Sequence, residues 1–189
     1  GSGGVNATSG LIVDRDVALD GTERGTAWFS SDRTYRYLLT RRWDVLRPVM
    51  GFIMLNPSTA DAFRPDPTIT RCAGFADREG CGGIDVVNLF ALRATDPRKL
   101  AGHPDPAGPA NDDFLADLAR LAEGPVVAAW GAHAAAGARA RAVAELFARL
   151  GVPLRCLGTT KAGAPRHPLY VRGDAPLTGW PVTRSEVAA

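Results

Sequence analysis

The sequence predicts an α/β domain with a mostly parallel central sheet, and three observations carry that prediction. Continuous apolar runs, VMGFIML, IDVVNLF and PVVAAWG, have the composition of strands buried on both faces. Segments with helical spacing lie between them, so strands and helices alternate. Polar residues collect where each strand ends, in NPST, NLFALRATDP, WGAH and LGTTKAGAPRHPLY. In open parallel sheets the ligand sits beyond those carboxyl ends.

The elements follow in order. GSGGVNATSG reads as a cloning remnant leading a flexible tail over residues 1–32, with a single domain over residues 33–183. From Arg36, Tyr37, Leu39 and Arg41 alternate with Leu38, Thr40 and Arg42, the period of a strand. Arg47-Pro48 breaks it, and VMGFIML follows as a buried strand. DPTITRCAGFADREG is helical, with Asp66 as N-cap, Pro67 at the first position, and Ile69, Cys72, Ala73 and Ala76 on one face. IDVVNLF is the second buried strand, followed by a loop from Ala91 to Pro109. A structureless loop of that length in a compact domain is usually functional. NDDFLADLARLAEG is a helix capped by Asn111 or Asp112, and PVVAAWG is the third buried strand. AHAAAGARARAVAELFARLG is a long helix ended by Gly151, and PLRCLG a fourth strand.

Charge and cysteine usage narrow the class. The 189 residues carry a net charge of +2, but the cations are clustered. Arg33, Arg36, Arg41, Arg42 and Arg47 stand against Asp44 alone, and Arg155, Lys161, Arg166, Arg172 and Arg184 against Asp174 alone. Either these segments form a phosphate-facing surface or they are solvated faces. Cys72, Cys81 and Cys156 have neither paired nor CxxC spacing, which argues against a disulfide framework or a zinc site and predicts a cytoplasmic protein. No apolar run of about 18 residues exists, so no membrane span is expected. No metal or other cofactor is called for.

Several residues at the strand ends have the chemistry of a site. Asn56 offers a carboxamide held in extended backbone by Pro57, either to position a water or to close an Asx turn. Asn88 either reads the edge of a nucleobase or braces its loop. His167, flanked by Arg166 and Pro168, suits stabilisation of an anion. His133 opens a helix and His103 sits in a loop. Phe63 and Phe90 are either stacking surfaces or core. Ser58, Thr59, Arg93, Lys161 and Arg166 are candidates for phosphate contacts. Asp61 and Asp66 form a weak metal pair unless Asp66 caps its helix.

MLNPSTADAFRPDPTITRC, VVNLFALRATDP, DPAGPAND, VVAAWGAHA, LGTTKAGAPRHPLY and the closing PL–W resemble domain-of-unknown-function family 1643, from about Tyr37 to Trp180. More distantly, LNPS, VVNLF-LR--DP, VVAAWGAHA and HPLY are similar to the motif series of the uracil-DNA glycosylase superfamily. That resemblance implies a three-layer α/β sandwich of uracil-DNA-glycosylase type. It also implies water positioning by Asn56, base reading by Asn88 and stabilisation of the leaving base by His167. The sequence departs from the superfamily where Ser58 replaces a glycine, where HPLY replaces His-Pro-Ser-Pro, and where iron–sulfur cysteines are lacking.

The expected function is therefore hydrolysis of an N-glycosidic bond to a damaged or modified base in DNA, by a monomer that needs no cofactor. The alternatives are a hydrolase of free nucleosides or nucleotides, and a binding module for nucleic acid or a modified base. On the sequence alone, Asn56→Asp should raise turnover in a weak glycosylase and leave a pure binder inert.

Overall fold

The computed structural model describes residues 10–181. Its strands are β1 (Ile12–Val17), β2 (Glu23–Phe29), β3 (Arg36–Arg42), β4 (Val49–Met54), β5 (Gly83–Asn88), β6 (Val126–Ala128), β7 (Leu154–Cys156) and β8 (Thr178–Trp180). Three helices connect the inner strands: α1 (Pro67–Arg78), α2 (Asn111–Leu121) and α3 (Gly137–Arg149). All eight strands join one sheet in the order β1-β2-β3-β5-β4-β6-β7-β8.

The parallel part is where the apolar runs place it. β5, β4, β6 and β7 pair in parallel through βαβ crossovers. The sheet as a whole is not mostly parallel, because β1–β2, β2–β3, β3–β5 and β7–β8 are antiparallel. A parallel pair needs a helix between its strands and so leaves a long signature, whereas a hairpin needs only a turn. Asp20-Gly21 is such a turn: Gly21 has φ +86°, and the Asp20 carboxylate accepts the Thr22 N–H at 2.9 Å. The expected tail over residues 1–32 therefore holds two paired strands from Ile12 to Phe29; residues 1–9 of that call lie outside the described residues. β1 escaped notice because IVDRDV is half polar and only partly buried.

Alternation along β4 sends side chains to two cores. Met50, Phe52 and Met54 face α1 with Cys72, Phe75 and Ala76, while Ile53 faces α2 and α3 with Leu115, Leu118, Val143 and Phe147. Gly51 lets α2 settle close, since a Cβ there would meet Leu118 Cδ1 at 3.1 Å. Helices thus cover both faces. Phe90 is 8% exposed within the α2–α3 core, so it is a packing residue and offers no stacking face.

Local chemistry sets the helix starts. Asp66 caps α1 as expected, accepting the N–H groups of Thr68 (2.7 Å) and Ile69 (3.2 Å), with Pro67 behind it. α2 differs. Its N-cap is Ala110, and Asn111, fully buried, instead donates to the carbonyls of Asn88 (2.9 Å) and Leu89 (3.1 Å). The Ala91–Pro109 loop is structured as well. Leu100 is buried within a 3-10 turn at Pro97–Leu100, capped by Asp96, and Ala91 and Leu92 bond back to Ala107 and Pro106.

A bulge in β3 has consequences for the site. Trp28 pairs with Leu38 but Phe29 pairs with Arg36, so Tyr37 is the extra residue. Tyr37 stacks on Phe114 of α2 with centroids 5.1 Å apart. Leu39 lies in the α1-side core, and the bulge turns Arg36 to that same face.

Candidate functional site

β4 is the switch point of the parallel strands. The chain leaves it through α1 for β5 on one side, then crosses through α2 to β6 on the other. At such a reversal the carboxyl ends splay and open a crevice. A cavity of about 460 Å³ lies there, its wall formed in part by Asn56, Trp130, Gly131, His133, Arg166 and His167.

Asn56 follows β4 directly. Its Nδ2 donates to the carbonyls of Ala94 (2.8 Å), Pro57 (3.1 Å) and Leu92 (3.4 Å). With the NH2 pinned by three carbonyls, the amide orientation is determined and Oδ1 remains as an acceptor for a ligand or water. Gly131 ends the β6 segment with φ +78°, and its N–H donates to Pro165 at 2.9 Å. Only a residue at ease in the left-handed region makes that turn, which holds the Pro165–Tyr170 segment against the strand end.

His167 sits half-buried at the start of a 3-10 turn, Pro168–Tyr170. Its Nδ1 accepts the Leu169 N–H at 3.1 Å, which leaves Nε2–H as the donor of a neutral ring. Burial holds its pKa below the ordinary histidine value, and the Asp66 carboxylate opposes this only in part. Because folding lowers this pKa, the unfolded chain takes up the proton first. The linked stability is therefore complete above about pH 6.5 and is lost as pH falls through the folded value. His167→Asn keeps an acceptor for Leu169 and removes the titration. Thermal unfolding between pH 8 and pH 5 is expected to show a smaller acid-side loss in the variant; superimposable profiles would refute this role for burial.

The remaining candidates divide. Arg166 reaches the cavity with its Nε on the Thr159 carbonyl (3.2 Å), and exposed Lys161 lies on the neighbouring turn. His133 does precede α3, its Nδ1 accepting the Ala135 N–H, and it also lines the cavity. Asn88 is 3% exposed at the end of β5, beside Met54 in register, and is not part of the cavity wall. Phe63 packs against the α1-side core with the Arg41 guanidinium over its ring. Ser58 Oγ accepts the Ala60 N–H, and the Thr59 and Thr95 hydroxyls bond to each other at 2.8 Å. Arg93 gives its Nη1 to the Arg33 carbonyl and its Nη2 to the Thr59 and Ala60 carbonyls, so it braces the 58–60 turn.

The first basic segment is likewise engaged rather than presented to phosphate. Arg33 pairs with Asp14, Arg42 with Asp85, and Arg47 with Asp44 and Asp77, while Arg36 is buried. In the second, Arg172 pairs with Asp174, Arg155 and Lys161 have no acidic partner among the described residues, and Arg184 lies outside them. The three cysteines are free and buried, and burial pushes the Cys72 thiol up to about 12. Among the described residues no three His, Cys, Asp or Glu side chains gather as a metal-ligand set, and Asp66 is committed to its cap. No helix among them is long and apolar enough to cross a membrane.

Sequence reasoning missed Thr160 and Tyr170 in the cavity wall, Asn111 as a clamp, and the burial of Arg36. For the first two the signal was present in GTTKAGAPRHPLY; for Asn111 and Arg36 only the tertiary contacts reveal it.

Fold and site define a mixed α/β protein with a largely apolar cavity, set with a few polar side chains, at the carboxyl ends of a four-strand parallel core. Residues 36–169 match the family described as a protein of unknown function, DUF1643, and the chain belongs to that family. No curated protein and no solved structure matches it, and the likeness to uracil-DNA glycosylases draws no support from these comparisons.

Proposed function

We propose that the protein recognises a nucleobase and hydrolyses its N-glycosidic bond, with a damaged or modified base in DNA as substrate. The observation that carries this reading is the pairing of Asn56 and His167 on one cavity wall. Asn56 Oδ1 holds a water by accepting its hydrogen bond. The bond from C1′ to the base breaks with its electron pair leaving on the base, and the water oxygen bonds to C1′. His167 Nε2–H donates to the departing anion, and the water's proton passes to base or solvent. An amide suffices as water holder because the developing sugar cation is strongly electrophilic. A base in duplex DNA must leave the stack to enter. Arg166 and Lys161, at the rim, meet backbone phosphate. Asn88, 3% exposed and outside the cavity wall, reads the base only if the groups that cover it move.

One observation favours a second reading, hydrolysis of a free nucleoside or nucleotide. The cavity has the size of a small-molecule site, and most arginines of the 33–48 segment are paired or buried. Alkali-labile site formation separates the readings. Oligonucleotides carrying uracil, hypoxanthine, xanthine or hydroxymethyl bases are incubated with wild type and His167→Ala. Base excision is expected with wild type and a rate lower by about 10²–10³ in the variant. A neutral donor also predicts rates that do not fall between pH 7 and 8.5. Binding without strand breaks would instead make the protein a binding module, and release of free base from nucleosides alone would establish the second reading.

A further inference from the structure

We propose that Arg36, with Arg93 behind it, forms an oxyanion site beneath the Pro57–Asp66 loop that takes a phosphate group. The inference goes beyond base excision, because it concerns binding and stands whether or not a bond is cut.

Arg36 is 8% exposed, yet its Nε is buried without a hydrogen-bond partner. Buried arginines are nearly always paired, since removing a guanidinium from water is costly without acceptors. A second guanidinium shares the environment. Arg93 Nε is also buried without a partner, while its Nη2 holds the Thr59 and Ala60 carbonyls of the overlying turn. Arg41 holds the next stretch through the Ala62 carbonyl. Burial first, and then repulsion from Arg93, pull the Arg36 pKa down to about 10. The nearby carboxylate, Asp66, caps α1 through its Oδ1 and forms no salt bridge with Arg36.

Two cations thus lie under one turn, each with a donor aimed at nothing in the protein. An oxyanion between them would satisfy both, and the planar guanidinium fork matches the oxygens of a phosphate. The bulge at Tyr37 builds the site, because regular pairing would turn Arg36 toward α2. Its place, at the start of β3 and so beside the carboxyl end of antiparallel β5, is the same edge that carries the cavity. The phosphate comes either from a free nucleotide or from a nucleic-acid backbone.

Thermal unfolding of the full chain in inorganic phosphate, against chloride at equal ionic strength, tests the site. Wild type is expected to gain about 5 °C at saturation. Arg36→Met is expected to melt at or above the wild-type temperature without phosphate and to be unmoved by it, because it removes a buried charge that lacks a partner. A wild type unmoved by phosphate, an equal gain in the variant, or an equal gain with acetate would overturn the proposal. If Arg36→Met does not fold, Arg36→Lys is measured instead. Phosphate affinity at least tenfold weaker supports the fork, and wild-type affinity refutes it. A nucleoside 5′-monophosphate that competes with phosphate assigns the source as free nucleotide; competition by an oligonucleotide alone assigns the backbone.

Discussion

Asn56→Asp is expected to cost about 2–4 kcal/mol of stability rather than to raise turnover. The sequence alone suggests the opposite, because a carboxylate activates water better than an amide. The structure decides the matter through the three carbonyls of Pro57, Leu92 and Ala94 that Asn56 Nδ2 serves. A carboxylate at this position has no donor to offer and sets a negative oxygen against three partial negative charges. The turn after β4 and the start of the 91–109 loop would then lose this clamp and be held only by the Ala94 N–H on the Pro57 carbonyl, the Thr59–Thr95 pair and Arg93. A melting temperature lower by roughly 5–15 °C is expected, with loss of any base-excision activity. Unchanged melting with faster turnover would show that the amide is not the clamp described.

Asn111→Asp is expected to be more severe, at about 3–5 kcal/mol, because the site is fully buried. Asn111 Nδ2 donates to the Asn88 and Leu89 carbonyls, fastening the first turn of α2 to the end of β5. Leu89 O keeps a second donor in Arg139 Nε at 2.8 Å, so the Asn88 carbonyl loses most. Asn111→Leu, which leaves no buried charge, is expected to cost about 1–3 kcal/mol. Urea midpoints for the two variants check the order: Asp below Leu, and Leu below wild type. Equal midpoints would mean that the buried amide contributes only volume.

These two amides explain why the candidate site was legible only in part. Asn56, His167 and Arg166 were identifiable because each stands next to a proline or a strand end, where local chemistry is visible in a few residues. Asn88 was identifiable as a strand-end amide, but its 3% exposure is a property of the tertiary packing. Arg93 reads as a free cation in the sequence, and its carbonyl partners lie more than thirty residues away. Phe90 and Phe63 look alike as aromatic neighbours of polar turns; one is core and the other lies beneath Arg41.

The sequence by itself determined the parallel core, the three helices and the edge at which polar groups gather. Those features rest on long apolar runs, helical spacing and caps, all short-range properties of the chain. Tertiary structure alone decided that antiparallel strands flank the core, since hairpin pairing leaves little trace in half-polar segments such as IVDRDV. It also decided which amides clamp backbone and which face the cavity. Most of all, it decided that Arg36 is buried rather than solvated, because one extra residue in β3 reverses the face on which that side chain lies.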